Sequence, residues 1–249
     1  MDQGILRAGA VALVTGAGSG IGAAVAAQLV AREARVICAG RRLERLAPVV
    51  ERLGRNACAL QLDVTDPGST ASLLERLPAA LRRIDILINN AGHDVGGRKR
   101  FDLGEVEAWA DIIETNVVGM IRVSHAVARG MVARGRGHIV NLGSTAGLRV
   151  YRSGSIYNAS KFAVRAFTEG LRMDYADTDL RITEILPGLT RTGFAAARLH
   201  GDRQRGEDYY ARFPGTIAAA DVARAVIFAL DQPAGVTVAQ LVIVPTREA

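Results

Sequence analysis

The stretch AVALVTGAGSGIG, residues 10–22, joins a short apolar run to a glycine-rich turn. Its first six residues are mostly small or branched apolar side chains, which is the pattern of a short buried β-strand. The glycines follow at once, and an alanine-rich segment to about residue 31 has the composition of a helix. A strand, a glycine turn and a helix in this order predict the phosphate-binding corner of a doubly wound α/β sheet.

Each of three glycines in this turn is expected at its position for a different physical reason. Gly16 permits the tight turn, Gly20 lets a pyrophosphate approach the backbone, and Gly22 lets the helix pack close to the strand. The helix N-terminus offers unpaired N–H groups and a positive dipole end to phosphates. A plain strand–helix turn is the alternative, but it does not require four alternating glycines. We therefore predict dinucleotide contacts from Gly16, Gly18, Ser19, Gly20, Ile21 and Gly22.

The end of the second predicted strand, residues 35–39, indicates which dinucleotide. An NAD site places an acidic residue about 20 positions after the glycines, on the ribose 2′-OH. Here Gly40 is followed by Arg41 and Arg42. A guanidinium pairs with a 2′-phosphate, whereas a carboxylate repels it. The two arginines favour NADP(H), although they could simply begin a solvated helix.

Strands and helices alternate along the rest of the chain. Further strands are predicted at 57–62, 85–92, 137–143, 181–186 and 240–244, and helices at 43–53, 67–81, 103–134, 156–177 and 219–230. This alternation predicts a Rossmann-type, doubly wound parallel sheet of about seven strands in a single domain, residues 1–249. Residues 189–218 lack periodicity and are predicted to form a binding loop or lid over the substrate.

Two residues on the helix predicted at 156–177 form a pair that could carry chemistry. Tyr157 and Lys161 stand four residues apart in SIYNASK, residues 155–161. Residues i and i+4 share one helix face. An ammonium beside a phenol favours the phenolate and lowers a pKa that starts near ~10, which makes Tyr157 a proton donor or acceptor near neutral pH. Taken alone, such a pair is more often solvated helix surface.

Composition limits the classes of function. The net charge is +6, but the basic residues are dispersed and aromatic residues make up only 5%. We therefore expect no nucleic-acid partner. No apolar run approaches the ~18 residues of a membrane span, the N-terminus lacks a signal-peptide pattern, and the histidines show no metal spacing. Cys38 and Cys58 lie in strand-like runs, which favours buried, reduced thiols and a cytoplasmic location.

Several motifs together resemble the short-chain dehydrogenase/reductase family. They are TGxxxGxG at 15–22, NNAG at 89–92, Asn116, Ser144 and YxxxK at 157–161, in the order and spacing of that family. The resemblance covers residues 10–245. It implies a Rossmann-type sheet that binds the nucleotide across the carboxyl ends of its strands. The family commonly forms dimers or tetramers through its long central helices, so a homodimer or homotetramer is expected.

The resemblance also implies roles for the catalytic residues. Tyr157 is the general acid when a carbonyl is reduced and the base in the reverse direction. Lys161 lowers its pKa and holds the nicotinamide ribose, and Ser144 hydrogen-bonds the substrate oxygen. Asn116 holds a water that links Lys161 to solvent. As a helix-interior residue, Asn116 also predicts either a buried amide or a local kink.

Further cofactor contacts follow from the same resemblance. The adenosine side is matched by Asp63, Val64, Asn89, Ala91 and Gly92, and the nicotinamide side by Pro187, Gly188 and Thr192. Residue by residue, a simple turn remains the alternative for the strand-end positions. Leu186 departs from the family, which more often has a polar residue before Pro-Gly.

One branch of the family looks most similar. PGLTRTGF at 187–194, RLHGD at 198–202 and the final IVPT at 243–246 resemble NADP-dependent 3-hydroxy acid (serine and allo-threonine) dehydrogenases and clavulanate-type aldehyde reductases. A small alcohol, with a 3-hydroxy acid as first candidate, is the implied substrate. Its carboxylate would need an arginine; the candidates are Arg149, Arg152, Arg191 and Arg198. Selectivity is expected from residues 93–100, 148–153 and 189–218.

Two other functions stay open at this point. A 3-oxoacyl-carrier-protein reductase, or another aldehyde or ketone reductase, would use the same catalytic residues. A protein that binds NADP(H) without turnover, as a sensor, belongs to a different class. Such a sensor is expected to lose a member of the serine–tyrosine–lysine set, and Ser144, Tyr157 and Lys161 are all present.

Overall fold

A seven-stranded parallel sheet forms the centre of the protein, as predicted. The structure, a computed structural model, describes residues 4–96 and 98–247. The strands are β1 Val11–Thr15, β2 Arg35–Gly40, β3 Ala57–Gln61, β4 Ile86–Asn89, β5 Gly137–Leu142, β6 Leu180–Pro187, the short β7 Thr190–Arg191 and β8 Ile217–Ala218, and β9 Gln240–Ile243. The sheet order is β3-β2-β1-β4-β5-β6-β9, while β7 and β8 pair separately. The order reverses between β1 and β4, which is where such sheets bind ligands.

Helices cover both faces of the sheet. They are α1 Gly20–Val30, α2 Leu43–Leu53, α3 Pro67–Ala71, α4 Val106–Ile113, α5 Met120–Ala133, α6 Ser155–Asp174, α7 Phe194–Arg198, α8 Arg203–Tyr210 and α9 Ala219–Leu230. Side chains alternate across each strand, so Val14 packs with α1 and α9 while its neighbour Leu13 packs with α5 on the opposite face. Two apolar layers result, which explains why the central strands read as continuous hydrophobic runs.

The predicted helix at 67–81 is wrong beyond its first turns. Only Pro67–Ala71 is α-helical, and a 3₁₀ turn at Ala79–Leu81 follows. The hydroxyl of Ser72 donates to the carbonyl of Gly68 at 2.8 Å, and that of Thr70 to Pro67 at 3.0 Å. Such side-chain bonds compete with the backbone ladder and favour an early end of the helix.

The predicted helix at 103–134 is divided into three parts. Helices α4 and α5 flank a π-helical segment, Glu114–Gly119, which contains Asn116. A π-helical turn is wider than an α-helical one and re-spaces the backbone groups around it. The local irregularity expected of Asn116 is therefore present. In the segment 189–218, predicted without regular structure, the chain instead forms β7, α7, α8 and β8.

The glycines of the first turn give a test of this packing. A Cβ on Gly22 would lie 2.5 Å from the carbonyl oxygen of Gly16, whereas one on Gly170, in α6, would meet nothing within 4 Å. We expect Gly22→Ala to lower the free energy of unfolding by roughly 1–3 kcal/mol through overpacking.

The matched control, Gly170→Ala, should raise stability by about 0.5–1 kcal/mol because alanine is the better helix former. Urea unfolding of both variants measures the difference. Equal effects at the two positions would contradict the close contact between α1 and the glycine turn.

Candidate active site

A cleft of about 950 Å³ runs along the carboxyl ends of the strands. This volume is at the upper end of those that enclose small-molecule ligands. Gly16, Gly18, Ser19, Gly20 and Ile21 all line it. Gly22 does not, because it lies against the backbone of Gly16 beneath the turn.

Thr15 and Asn90 fix the glycine turn. The amide nitrogen of Asn90 donates to the carbonyls of Thr15 and Gly16, at 2.9 and 3.2 Å. The hydroxyl of Thr15 accepts from the backbone N–H groups of Asn90 and Ala91, both at 3.0 Å. Gly16 has a φ of +66°, a conformation that side-chain-bearing residues rarely adopt. The turn is thus held open toward the cleft, as a phosphate cradle requires.

The adenosine end of the cleft is strongly basic. Arg41 and Arg42 line it as predicted, and Arg45 joins them from the first turn of α2. Arg45 was missed by sequence reasoning, although it lies in the first turn of the helix predicted at 43–53, just after Arg41 and Arg42. Three guanidiniums at this end fit the extra phosphate of NADP(H), and Gly40 and Arg41 stand where an NAD site has its acidic residue.

The strand-end residues divide into two groups. Asp63, Val64, Ala91 and Gly92 line the cleft. Asn89 does not: its side chain is buried and donates to Ser124 and to Asn141, both at 2.8 Å. The next residue, Asn90, reaches the cleft instead. Neighbouring residues of a strand point to opposite faces of the sheet. If Asn90 faces the cleft, its neighbour Asn89 must therefore point away from it.

Three of the four predicted catalytic residues meet at one wall of the cleft. Ser144 follows β5, while Tyr157 and Lys161 lie on the same face of α6. The Lys161 ammonium donates to the carbonyl oxygen of Leu142 at 2.8 Å and lies 5.8 Å from the centroid of the Tyr157 ring. A hydrogen bond with Ser144 acts on the Tyr157 phenol. The arrangement brings a hydroxyl and a phenol to one point, as binding and protonating a carbonyl oxygen requires.

The charge state of this pair differs from the expectation. Burial raises the pKa of Tyr157 above its ordinary value; the hydrogen bond with Ser144 and the charge of Arg198 only partly oppose this. Burial lowers the pKa of Lys161 from 10.5 to about 8, against the effect of the Glu184 carboxylate. The expected lowering of the tyrosine pKa by Lys161 is not present, because burial disfavours both the phenolate and the ammonium.

The side-chain amide of Asn116 is hydrogen-bonded to other groups of the protein. Its nitrogen donates to the carbonyl of His93 and the hydroxyl of Ser160, at 3.0 and 3.1 Å, and its oxygen accepts from the N–H of His93 at 2.9 Å. Both amide hydrogens are therefore donated to protein groups, and the water predicted beside Asn116 stays a prediction. The side chain joins the loop after β4 to the catalytic helix.

The nicotinamide end is formed by β6 and the chain after it. Pro187, Gly188 and Thr192 line the cleft as predicted. The phenol of Tyr210 accepts from the N–H of Thr192 at 3.3 Å and donates to its carbonyl at 3.1 Å. Helix α8 thereby fixes the segment after β7 at the mouth of the cleft, a contact that sequence reasoning did not find.

The three segments expected to carry selectivity meet beside Tyr157. Asp94 and Arg98 come from the loop after β4, Tyr151 from the segment after β5, and Phe194, Arg198 and Tyr209 from the two short helices. Arg198 and Asp94 form an ion pair, Nε to Oδ2, of 2.7 Å. Burial raises the pKa of Asp94. Burial alone would lower the pKa of Arg198, but the nearby Asp94, Tyr151 and Tyr209 together raise it.

Of the four arginines proposed for a substrate carboxylate, Arg198 alone lines the cleft. Arg191 is half-exposed and pairs with Glu207. Arg152 lies on a separate shallow groove, and Arg149 is an exposed residue outside the cleft. Arg98, which was not a candidate, takes a place near Arg198. Its location could not be read from the sequence because the loop after β4 lacks regular structure.

The described part of the chain contains neither a metal-binding cluster nor a membrane-spanning helix. Within residues 4–96 and 98–247, no cluster of three or more His, Cys, Asp or Glu side chains is arranged to hold a metal ion. Among the same residues, no helix combines the length and apolar character needed to cross a membrane.

Comparison with known proteins places the chain in a family. The sequence model of the short chain dehydrogenase family matches residues 10–202. The chain therefore belongs to the short chain dehydrogenases, and the predicted resemblance is confirmed.

Its relatives include enzymes with named substrates. The NADP-dependent 3-hydroxy acid dehydrogenase YdfG of Escherichia coli (strain K12) is 39% identical over 241 residues, which cover 96% of each chain. Sulfoacetaldehyde reductase 2 of Chromohalobacter salexigens is 37% identical over 242 residues, covering 96% of this chain and 95% of the relative. A solved structure of serine dehydrogenase in its closed form with NADP+ superposes with a TM-score of 0.90, at 38% identity and 94% coverage of each chain.

The lowered pKa of Lys161 predicts a pH-dependent stability. Between about pH 8 and 10.5 the unfolded chain keeps the lysine proton while the folded protein releases it. The free energy of unfolding should therefore rise with pH in this window, by on the order of 1–3 kcal/mol relative to Lys161→Met.

Urea unfolding of both proteins without cofactor, at pH 7.5, 9 and 10.5, measures this difference. Below pH 8 the two curves should run parallel, because the lysine is protonated in both states. Parallel curves over the whole range would contradict a lowered pKa.

Proposed function

We propose that this protein is an NADP(H)-dependent oxidoreductase that interconverts a small alcohol and its carbonyl compound. The observation that carries the proposal is the convergence of Ser144, Tyr157 and Lys161 on one wall of a cleft whose other end holds three arginines. The first class of substrates to test is the 3-hydroxy acids, because a 3-hydroxy acid dehydrogenase is among the relatives.

The cleft fits the cofactor at both of its ends. Gly16, Gly18 and Gly20 leave the backbone bare beside the N-terminus of α1, and the guanidiniums of Arg41, Arg42 and Arg45 follow the end of β2. When bound, the nicotinamide would supply or accept the hydride. Pro187, Gly188 and Thr192, at the end of β6 and just beyond it, would hold the nicotinamide. The residues of the chain then have to position the substrate oxygen and move one proton.

Tyr157 and Ser144 carry out the proton chemistry. In the reductive direction the protonated Tyr157 phenol donates to the carbonyl oxygen as negative charge develops there, and Ser144 donates a second hydrogen bond. The raised pKa of Tyr157 keeps the phenol protonated at neutral pH, which suits this direction. In the oxidative direction the phenolate accepts the proton of the alcohol. In that state the Lys161 ammonium, 5.8 Å from the centroid of the Tyr157 ring, would place a positive charge beside the phenolate that has formed.

Location and assembly are part of the proposal. Cys38 and Cys58 are free thiols on neighbouring strands, and burial raises the pKa of both, that of Cys38 to about 12. Cysteines that stay unpaired are typical of proteins in a reducing compartment, which supports a cytoplasmic location. We also propose a homodimer or homotetramer, on the basis of the family's common assembly through its central helices.

The catalytic role of Tyr157 has a direct test. Purified protein should consume NADPH with 3-oxo acids or small aldehydes, and Tyr157→Phe should reduce kcat by at least about 100-fold because the transferable proton is lost. NADPH binding, measured by fluorescence titration, should stay within about threefold. Retained turnover would remove Tyr157 from the mechanism. Tight NADPH binding without turnover of any carbonyl by the unaltered protein would instead support the sensor function.

Cofactor choice has a second test. Arg41→Asp should raise KM for NADPH by about 10- to 100-fold, since it exchanges attraction of the 2′-phosphate for repulsion, and should change KM for NADH by much less. The control Arg55→Asp changes the net charge equally at an exposed site outside the cleft. An unchanged ratio of the two KM values in the Arg41 variant would remove this residue from the phosphate site.

A further inference from the structure

The substrate end of the cleft contains a cluster of charges that the catalytic residues do not use. Arg98 places its guanidinium carbon 4.4 Å from the ring centroid of Tyr151 and 5.4 Å from that of Tyr209. Arg198 stacks at 5.4 Å on the same Tyr209 ring. Both cations therefore lie on one aromatic wall, whose ring faces attract them.

Asp94 serves Arg198 and is closed to a substrate. Its side chain has no exposed surface, and both carboxylate oxygens are covered. The nearest partner is Nε of Arg198, at 2.7 Å in the geometry of an ion pair rather than of a linear hydrogen bond. A ligand cannot reach the carboxylate, so Asp94 is a positioning residue that turns the guanidinium of Arg198 toward the cleft.

The cluster is close to the reacting atoms. The ring of Phe194 meets the ring of Tyr157 edge to face, with centroids 5.8 Å apart, and the guanidinium carbon of Arg198 lies 5.3 Å from the Phe194 centroid. The positive charge thus stands one aromatic ring away from the catalytic phenol. The cluster therefore suits a short substrate, whose charged end and reacting carbon lie on the two sides of the Phe194 ring.

The charges of the cluster do not balance. Two guanidiniums face a single carboxylate, which leaves one positive charge. Among the described residues that line the cleft, the other carboxylates are Asp63, at the adenosine end, and Asp111, which pairs with His93 at 3.2 Å. A concave, aromatic-walled site with one unmatched positive charge attracts one anionic group.

We infer that Arg98 and Arg198 form a subsite for the single anionic end, carboxylate or sulfonate, of a short substrate that carries no ammonium group. A zwitterion brings no net charge to the unmatched guanidinium, and its ammonium would face two cations while the only nearby carboxylate is covered. The claim that the bound anion is part of a substrate rests on the proposed function. The binding of anions at this subsite does not depend on turnover. It discriminates among the compounds named for the relatives: simple hydroxy acids and sulfonates fit, and serine does not.

A panel of four alcohols tests the inference. With NADP+, 3-hydroxypropanoate and 2-hydroxyethanesulfonate carry the two kinds of anion, L-serine is the zwitterion and butan-1-ol is neutral with a similar length. The value of kcat/KM should be at least about 10-fold higher for one or both anions than for serine and butan-1-ol. Whichever anion is preferred distinguishes a carboxylate site from a sulfonate site. Equal values for the anions and butan-1-ol would overturn the inference while leaving the proposed function intact.

Arginine variants locate the effect. Arg98→Gln and Arg198→Gln should each lower kcat/KM for the preferred anion by about 10- to 100-fold and leave that for butan-1-ol within about threefold. Arg98 is exposed, so its variant is expected to fold even if the Arg198 variant does not. Arg205→Gln, on α8 but outside the cleft, is the matched control and should change neither value. A loss that is equal for anion and neutral alcohol would overturn the assignment of the two arginines.

Binding without chemistry completes the experiment. Propanoate and ethanesulfonate lack a reacting group, and calorimetric titration of either into the protein with saturating NADP+ should give binding that Arg98→Gln weakens by at least about 10-fold. If no alcohol is oxidised but this arginine-dependent binding is present, the subsite stands and the proposed function fails. If neither anion binds, or if binding is unaffected by Arg98→Gln, the subsite is overturned.

Discussion

The hydrogen bonds between Thr15 and Asn90 are the constraint on which the rest of the cleft depends. They join the ends of β1 and β4, the two strands between which the order of the sheet reverses. The amide of Asn90 also lies where side chains on the glycine turn would have to be: a Cβ would approach its nitrogen to 2.8 Å at Gly16 and 2.6 Å at Gly22. The glycines are thus required as much by this polar contact as by the phosphates they are suited to bind.

A second amide extends this constraint to the catalytic helix. Asn116 binds the backbone of His93, just beyond Asn90, and the hydroxyl of Ser160, just before Lys161. The cofactor turn, the loop after β4 and helix α6 are therefore joined in series by side-chain amides whose hydrogens are all donated. The π-helical turn at Glu114–Gly119 follows from this, because it lets a buried asparagine face inward from a long helix pair without leaving its amide unpaired.

Sequence predicted the parts of this arrangement that depend on local chemistry. Buried strands, the glycine turn and the shared face of Tyr157 and Lys161 follow from periodicity and sterics, so they were correct. The choice between Asn89 and Asn90 depends on which face of β4 meets the cleft, and adjacent amides in a continuous apolar run do not reveal it. The pairing of Asp94 with Arg198 was beyond prediction, since it joins two segments that are irregular in sequence and meet only in the folded chain.

Burial also explains why Tyr157 and Lys161 do not form an ion pair. Tyr157 and Lys161 are both buried, and low-dielectric surroundings disfavour charged groups. The pKa of Tyr157 is therefore raised and that of Lys161 is lowered. Tyr157 therefore keeps its proton at neutral pH, which suits donation to a carbonyl oxygen. To act as a base, Tyr157 must become a phenolate. The free energy of forming that phenolate falls when positive charges lie close to it. Arg198 lowers the pKa of Tyr157, but its partner Asp94 raises it at least as much, so the ion pair beside the substrate end leaves the phenol protonated.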